Sequence, residues 1–450
     1  MILQIPTTWK RACLPEVTQI NMGQSPDGST VNESGDGIVF FQGKSEFGKV
    51  HPTPRKYCTK PAKIAEEGDI LLSVRAPVGP TNIAVQTTAI GRGLAAISAI
   101  GGYSHPKFLL YYFRCIEPWL SEQGTGSTFK AISGQFIKQL EIAIPPFSEQ
   151  KIIAEKLDTL LLQVDSIKAH LDKIPLILKK FRQSVLAAAV SGKLTEDWRG
   201  VENPIHLRKL GELASDIRYG TSKKCSKEKG NTPVLRIPNI GMGHIIKDDL
   251  KYADFDHKEL EGLSLKDGDL LLIRSNGSVE LVGKVAVISK DDEKFLFAGY
   301  LIRIRLDLGK SVPHYISFCL QSPQIRQTIE NIARSTSGVN NINSKELSSL
   351  ELPIPSMSEQ AEIVRRVEQL FAYADGVEKQ VQSALERVNN LTQSILAKAF
   401  RGELTAQWRE ENPELISGEN SAEALLARIK AERTAQQPQK KTRRKASAAG

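Results

Sequence analysis

Two stretches of this chain come close to reactive motifs, and both fall short. Gly43 to Val50, "GKSEFGKV", nearly spells the glycine-rich loop that wraps a phosphate. That chemistry needs a Ser or Thr hydroxyl on Mg2+ where Val50 stands, and a helix opening directly after the loop. His51-Pro52-Thr53-Pro54 cannot open such a helix, which argues against a nucleotide-hydrolysing site. Ile144 to Phe147, "IPPF", approaches the Asn/Asp-Pro-Pro-Tyr/Phe motif that grips an adenine amine. Ile144 replaces the hydrogen-bonding residue, and no GxGxxG-like cofactor loop accompanies it. A proline stop before a helix explains the stretch better. No GxSxG, HExxH or deaminase pattern occurs. These residues describe a chain that binds and does not react.

Composition narrows what it binds. At 450 residues the chain exceeds the size of a single core, so two or more domains are expected. No window nears 18 uncharged apolar residues, which excludes a helical membrane span, and the first residues do not read as a signal peptide. Five cysteines (Cys13, Cys58, Cys115, Cys225, Cys319) lie far apart without a CxxC pair. That usage suits a reducing cytoplasm and offers no zinc framework. Metal ligation is not expected from the scattered histidines either. A net charge of +9 and a pI near 9.1 suggest a polyanionic partner such as nucleic acid. Part of the excess is the tail with Lys440, Lys441, Arg443, Arg444 and Lys445, for which a disordered, solvated end is the simpler expectation.

The organisation is a repeat. Shifted by 210 residues, Leu140 to Arg199 lies on Leu350 to Arg409 without a gap, with 20 of 60 positions identical. The shared residues include the Ser-Glu-Gln triplets from Ser148 and Ser358, Gly192/Gly402, Leu194-Thr195/Leu404-Thr405 and Trp198-Arg199/Trp408-Arg409. A fainter echo joins "EGDILLSVR" from Glu67 to "DGDLLLIRS" from Asp267, each a Gly-Asp turn entering a buried strand.

The constant pieces are helical. Apolar residues recur in steps of three and four through Ile153, Leu157, Leu160 and Val164, and again through Ile363, Val367, Leu370, Ala374 and Val377. Such a seam predicts a left-handed coiled coil in which the two helices pair and act as a spacer. Straight helices of roughly 43 residues each would span on the order of 60 Å. Ser148 and Ser358 are expected as N-caps, with Glu149 and Glu359 favoured by the helix dipole. Gly192 and Gly402 should end the helices, and Pro175 should break the first. The variable pieces hold short apolar runs with Gly/Pro punctuation and read as mixed α/β domains. The expected class is α+β with a pseudo-twofold internal repeat. The expected segments are domains at 1–147 and 204–357, helical spacers at 148–203 and 358–410, and a C-terminal helix with basic tail at 411–450.

Two divergent domains, each followed by "SEQ" helices ending in "GKLTEDWR" or "GELTAQWR", resemble the DNA specificity (S) subunit of type I restriction-modification systems, and most closely its enterobacterial IA subfamily. The resemblance implies that each variable domain is a target recognition domain reading half of a bipartite, asymmetric site on double-stranded DNA. The helices would hold the domains apart and dock two methylation (M) subunits. Those partners would use S-adenosylmethionine, and restriction (R) subunits would add ATP- and Mg2+-dependent translocation and cleavage. The chain itself would bind no cofactor, hold no catalytic residue and touch no membrane. Two half-sites in successive major grooves, roughly 34 Å apart, fit a pseudo-twofold scaffold.

Base reading draws on Arg or Lys for guanine and Asn or Gln for adenine. The candidates in the first domain are Gln42, Lys44, Arg75, Asn82, Arg92 and Lys130. In the second they are Arg236, Asn239, Arg274, Asn276, Arg334, Asn340 and Asn341. Their loops are firmer candidates than any single member, because phosphate contacts use the same residue types. Trp198 and Trp408 suit either a packed helix end or a contact for M, while the SEQ triplets read as helix starts more than as contacts. Two rivals stand beside this reading. A self-contained restriction or modification enzyme would need the absent adenine motif, and a coiled-coil scaffold without sequence preference would bind DNA through phosphates alone.

Overall fold

A computed structural model describes residues 4–125, 130–199, 204–334 and 338–436. The basic tail from Lys440 lies outside them. The chain forms two compact units. Unit 1 combines Met1–Leu171 with Ala384–Gly450, and unit 2 is the continuous stretch Asp172–Ser383.

Each unit is built on the same plan. In unit 1 a four-stranded antiparallel sheet runs Thr18–Met22, Leu94–Ala99, Ile70–Ser73, Thr81–Ile83. In unit 2 its counterpart runs Ala214–Tyr219, Leu301–Leu306, Leu270–Ile273, Val285–Val287. The central strands Ile70–Ser73 and Leu270–Ile273 are buried along their whole length, as their unbroken apolar runs require. Both are entered through a Gly-Asp turn, with Gly68 at φ +87° and Gly268 at φ +83°. Asp69 and Asp269 close these turns by accepting the backbone N–H of Glu66 at 2.9 Å and Lys266 at 2.8 Å.

A second sheet in each unit contains one parallel pair. Phe40 lies opposite Ala89 in unit 1, and Val234 opposite Leu296 in unit 2. A two-stranded ribbon completes the plan: Lys10–Cys13 with Glu141–Ile144, and His206–Lys209 with Glu351–Ile354. The helix Pro106–Gln123 backs the sheet in unit 1, and Pro313–Gln321 with Pro323–Ala333 does so in unit 2.

The long helices are Phe147–Leu171, Ile174–Val190 and Met357–Phe400. The expected break at Pro175 is present, and the second copy runs on uninterrupted for 44 residues. Inside unit 1, Phe147–Leu171 pairs antiparallel with the end of Met357–Phe400: Lys156 donates to the Leu404 carbonyl and Lys168 to Asn389. Inside unit 2, Ile174–Val190 pairs antiparallel with its beginning, Arg182 meeting Asp375 and Glu378 while Arg366 meets the Leu194 carbonyl. The seam is deepest where the helices start. Ile153, Leu157, Val164, Ile363 and Val367 are buried, and Leu160, Leu370 and Val377 are half-buried. The expected caps are corrected. Ser148 and Ser358 lie inside helices that begin one residue earlier, at Phe147 and Met357, and Ser356 Oγ accepts the Glu359 N–H instead.

Candidate nucleic-acid interface

The identical residues of the repeat assemble into two clasps. Gly192 at φ +76° and Gly402 at φ +75° end the helices in the left-handed region, as expected of helix-ending glycines. Each turn then sends a Thr and an Arg back to the start of the other copy. In unit 1 the carboxylate of Glu149, fully buried, accepts Thr405 Oγ at 2.6 Å and Arg409 Nη1 at 2.5 Å on one oxygen. Its second oxygen accepts the Trp9 indole N–H at 2.9 Å. In unit 2 Glu359 accepts Thr195 Oγ and Arg199 Nε, each at 2.7 Å. Gln150 and Gln360 are buried beside them and fasten the loops that enter Pro106–Gln123 and Pro313–Gln321, accepting the His105 N–H at 2.9 Å and the Val312 N–H at 2.8 Å. The triplets therefore start the helices and also hold the intramolecular clasps. Sequence reasoning missed this because each carboxylate meets its partners at least 140 residues away.

With the scaffold fixed this way, the loops that leave the strand ends carry the candidate readers. In unit 1, Gln42, Lys44, Arg75 and Arg92 line one open cleft of ≈ 310 Å³. Lys130 joins them through its carbonyl, which accepts the Ala76 N–H at 2.9 Å. Gly93 permits this convergence, since a Cβ there would lie 2.5 Å from the Gln42 carbonyl oxygen. All five side chains are exposed. Asn82 does not belong with them. It is buried and holds both backbone groups of Gly48 at 3.0 Å, so its amide is spent on the loop.

Unit 2 gathers a different set at the matching backbone positions. Ser275 and Asn276 pair with Asn341 and Asn340, where unit 1 pairs Arg75 with Ala131. Arg274 stacks over the Tyr219 ring at 4.6 Å and donates to Asn341 Oδ1 at 3.3 Å. The Tyr219 hydroxyl donates to Ser344 Oγ at 3.1 Å. Burial pushes this phenol up, but hydrogen bonding with Ser344, whose N–H donates to the Tyr219 oxygen at 2.9 Å, and the Arg274 charge outweigh it, and the phenol sits below its ordinary pKa. Tyr300, 63% exposed, stands beside Arg274 and was not anticipated; its carbonyl accepts the Arg274 N–H. Asn239 is corrected like Asn82: fully buried, it bonds the backbone of Arg236, Ile246 and Asp248. Arg236 is half-buried against Asp249, and Arg334 is exposed at the end of Pro323–Ala333, bordering residues outside the description.

Among the described residues no cluster of His, Cys, Asp and Glu could hold a metal, and no helix is long and apolar enough to cross a membrane. Trp198 is 42% exposed and Trp408 half-buried, so neither is absorbed into a core.

The family model described as the type I restriction modification DNA specificity domain matches residues 6–176 and 204–387. The specificity subunit of the type I restriction enzyme EcoKI from Escherichia coli K12 is 50% identical over 331 residues, 72% of this chain and 71% of that one. The EcoBI specificity subunit from Escherichia coli is 35% identical over 479 aligned residues, 99% of this chain and 96% of that one. Among solved structures, the HsdS subunit from Thermoanaerobacter tengcongensis shares the fold, with TM-score 0.60 at 19% identity over 89% of this chain and 98% of that one.

Proposed function

The chain belongs to the type I restriction-modification DNA specificity family and is a non-catalytic specificity subunit, and from that premise we propose how its two units divide the work. Unit 1 reads one half of a bipartite, asymmetric duplex target and unit 2 the other. The observation that carries this is the pair of reader surfaces at matching positions with unlike side chains. One is Gln42, Lys44, Arg75, Arg92 and Lys130; the other is Arg274, Asn276, Asn340 and Asn341. A common backbone plan with different hydrogen-bonding groups suits two different sequences. Arg236 and Arg334 serve as phosphate contacts of the second unit.

The helices dock two M subunits and set the spacer. Exposed apolar side chains support this: Leu162, Ile167 and Leu391 on the helices of unit 1, and Leu176, Ile177 and Tyr373 on those of unit 2. On this reading 1–147 and 204–357 are the target recognition domains, 148–203 and 358–410 the spacers, and 411–450 a C-terminal helix and tail. S-adenosylmethionine belongs to M, ATP and Mg2+ to the R subunits, and the complex works in the cytoplasm.

The test is methylome sequencing. The purified chain with S-adenosylmethionine should methylate nothing, and adding M should yield adenine methylation at a bipartite site. Exchange of 204–357 for that of a relative should change one half-site and keep the spacer. Methyl transfer by the chain alone, or an exchange that altered both halves together, would overturn the division of labour.

A further inference from the structure

The two ribbons are dressed differently. In unit 1 the helix Ala422–Gln436 packs on the short helix Leu14–Val17 that leaves the ribbon and buries Leu425 and Ile429 into the same core as Ala12 and Val17. Its ends are tied down by Glu423 to Lys10 at 3.1 Å, by Glu432 to the Tyr103 hydroxyl, and by Arg433 to the carbonyls of Pro15 and Thr18. Register gives the counterparts in unit 2. Lys10 opposes Ile144 as His206 opposes Ile354, so His206 and Arg208 stand where Lys10 and Ala12 do. Gln150 donates to the Tyr103 carbonyl as Gln360 does to that of Lys310, so Lys310 replaces Tyr103.

Among the described residues no helix lies over the ribbon in unit 2. An open groove of ≈ 440 Å³ remains there, lined by His206, Arg208, Leu213, Lys310, Ile354 and Met357 among others. Its floor keeps the apolar character of the seat, with Leu213 and Ile354 buried and Met357 partly exposed. Its walls are more basic than in unit 1, and no carboxylate lines it, although Lys310 meets Asp307 at 2.9 Å on its own loop.

We propose that this groove of unit 2 is a docking seat for one amphipathic helix of a partner chain. The helix carries an apolar stripe at i, i+4 spacing, as in Leu425 and Ile429, and carboxylates flanking the stripe to meet His206, Arg208 and Lys310. The seat in unit 1 is taken by the chain's own helix, so one such helix binds per chain. That count separates it from any subunit that docks twice by the pseudo-symmetry. The inference concerns a surface away from the readers and does not depend on how DNA is read.

A fluorescein-labelled peptide of residues 416–436, the sequence that fills the equivalent seat, is the probe for full-length chain in an anisotropy titration. Saturable one-to-one binding is expected, weak because the free peptide must first become helical. The chain variant Arg208→Glu/Lys310→Glu should lose at least tenfold in affinity, and the peptide variant Leu425→Ser/Ile429→Ser should lose as much. Reversing Glu423 and Glu432 to Lys in the peptide should restore binding to the charge-reversed chain. The chain substitutions are at exposed positions, so unchanged thermal melting verifies the fold. Binding indifferent to Arg208→Glu/Lys310→Glu would mean exchange into the seat of unit 1, and absence of saturable binding would mean a solvated groove; either overturns the proposal.

Discussion

Glu149 and Glu359 occupy equivalent, fully buried positions, yet they are not equally satisfied. Both accept a Thr hydroxyl and an Arg on one oxygen. The other oxygen of Glu149 takes the Trp9 indole, whereas among the described residues that of Glu359 has no partner. The ribbon explains the difference: Trp9 precedes Lys10, while Ile205 precedes His206. An unpaired buried carboxylate oxygen carries a desolvation cost that a charge-assisted hydrogen bond removes. The same scaffold is thus built twice, with its electrostatic closure complete in unit 1 and partial in unit 2.

Removing the arginine should expose that inequality most strongly. Arg199→Ala strands the Glu359 charge and should cost about 3–5 kcal/mol. Arg409→Ala leaves Trp9 and Thr405 on Glu149 and should cost less, by on the order of 1 kcal/mol. Urea titrations followed by tryptophan fluorescence give both values, and equal losses would show that Trp9 contributes nothing. The seams come next. Leu160→Asp in unit 1 and Leu370→Asp in unit 2 place a carboxylate in a half-buried apolar row, at about 2–3 kcal/mol, and should weaken assembly with M. Gel filtration showing intact two-M complexes for both variants would mean the seam is misassigned.

The readers should respond independently. Arg75→Ala should relax discrimination in one half-site only, and Arg274→Ala in the other, by about 1–3 kcal/mol at a single base pair. Competition binding with single-substituted duplexes measures it, and a substitution felt in both halves would erase the distinction between the surfaces. The smallest effect is acid sensitivity. Burial, then the nearby Lys151 and Lys107 charges, lower the His105 pKa in unit 1 against the opposing pull of Asp158 and Glu155, and Val312 holds the matching place in unit 2. The unfolded chain therefore binds this proton more readily, so stability is full above the ordinary value of 6.5 and declines as pH falls through it. The group is partly solvated, so the decline should move Tm by no more than about 2 °C. His105→Val should flatten the profile, and an unchanged slope by differential scanning fluorimetry would assign it elsewhere.

Much of this scaffold is legible in the residues. The gapless repeat, the break at Pro175, the Gly-Asp turns and the helix-ending glycines follow from local chemistry that operates within a few positions. What local chemistry cannot reveal is a partner far along the chain. The Glu of each triplet looks like a dipole-favoured first-turn residue, and nothing near it announces a Thr and an Arg from the other copy. The repetition of Glu, Thr and Arg together was the available signal. The readers divide in the same way. Arg75, Arg92 and Lys44 are exposed as their charges require, but an Asn is equally suited to reading adenine or to tying backbone. Asn82 and Asn239 do the latter and are buried, whereas Asn340, although it too donates to the Gly277 carbonyl at 2.9 Å, is only half-buried and Asn341 is exposed.

The clasp on Glu149 also imposes an order on biosynthesis. Unit 2 is continuous in sequence, while unit 1 needs residues from both ends of the chain. Thr405 follows Glu149 by 256 residues, which takes roughly 13–50 s to synthesise at typical rates. Throughout that interval the Glu149 carboxylate lacks its cation; Ile153, Leu157 and Phe108 wait until near its end for Leu396 and Phe400, and beyond it for Leu425 and Ile429, to share their core. The part made first is therefore completed last. A nascent chain halted after residue 383 holds everything unit 2 requires and an unsatisfied N-terminal partner, the species on which a chaperone would act.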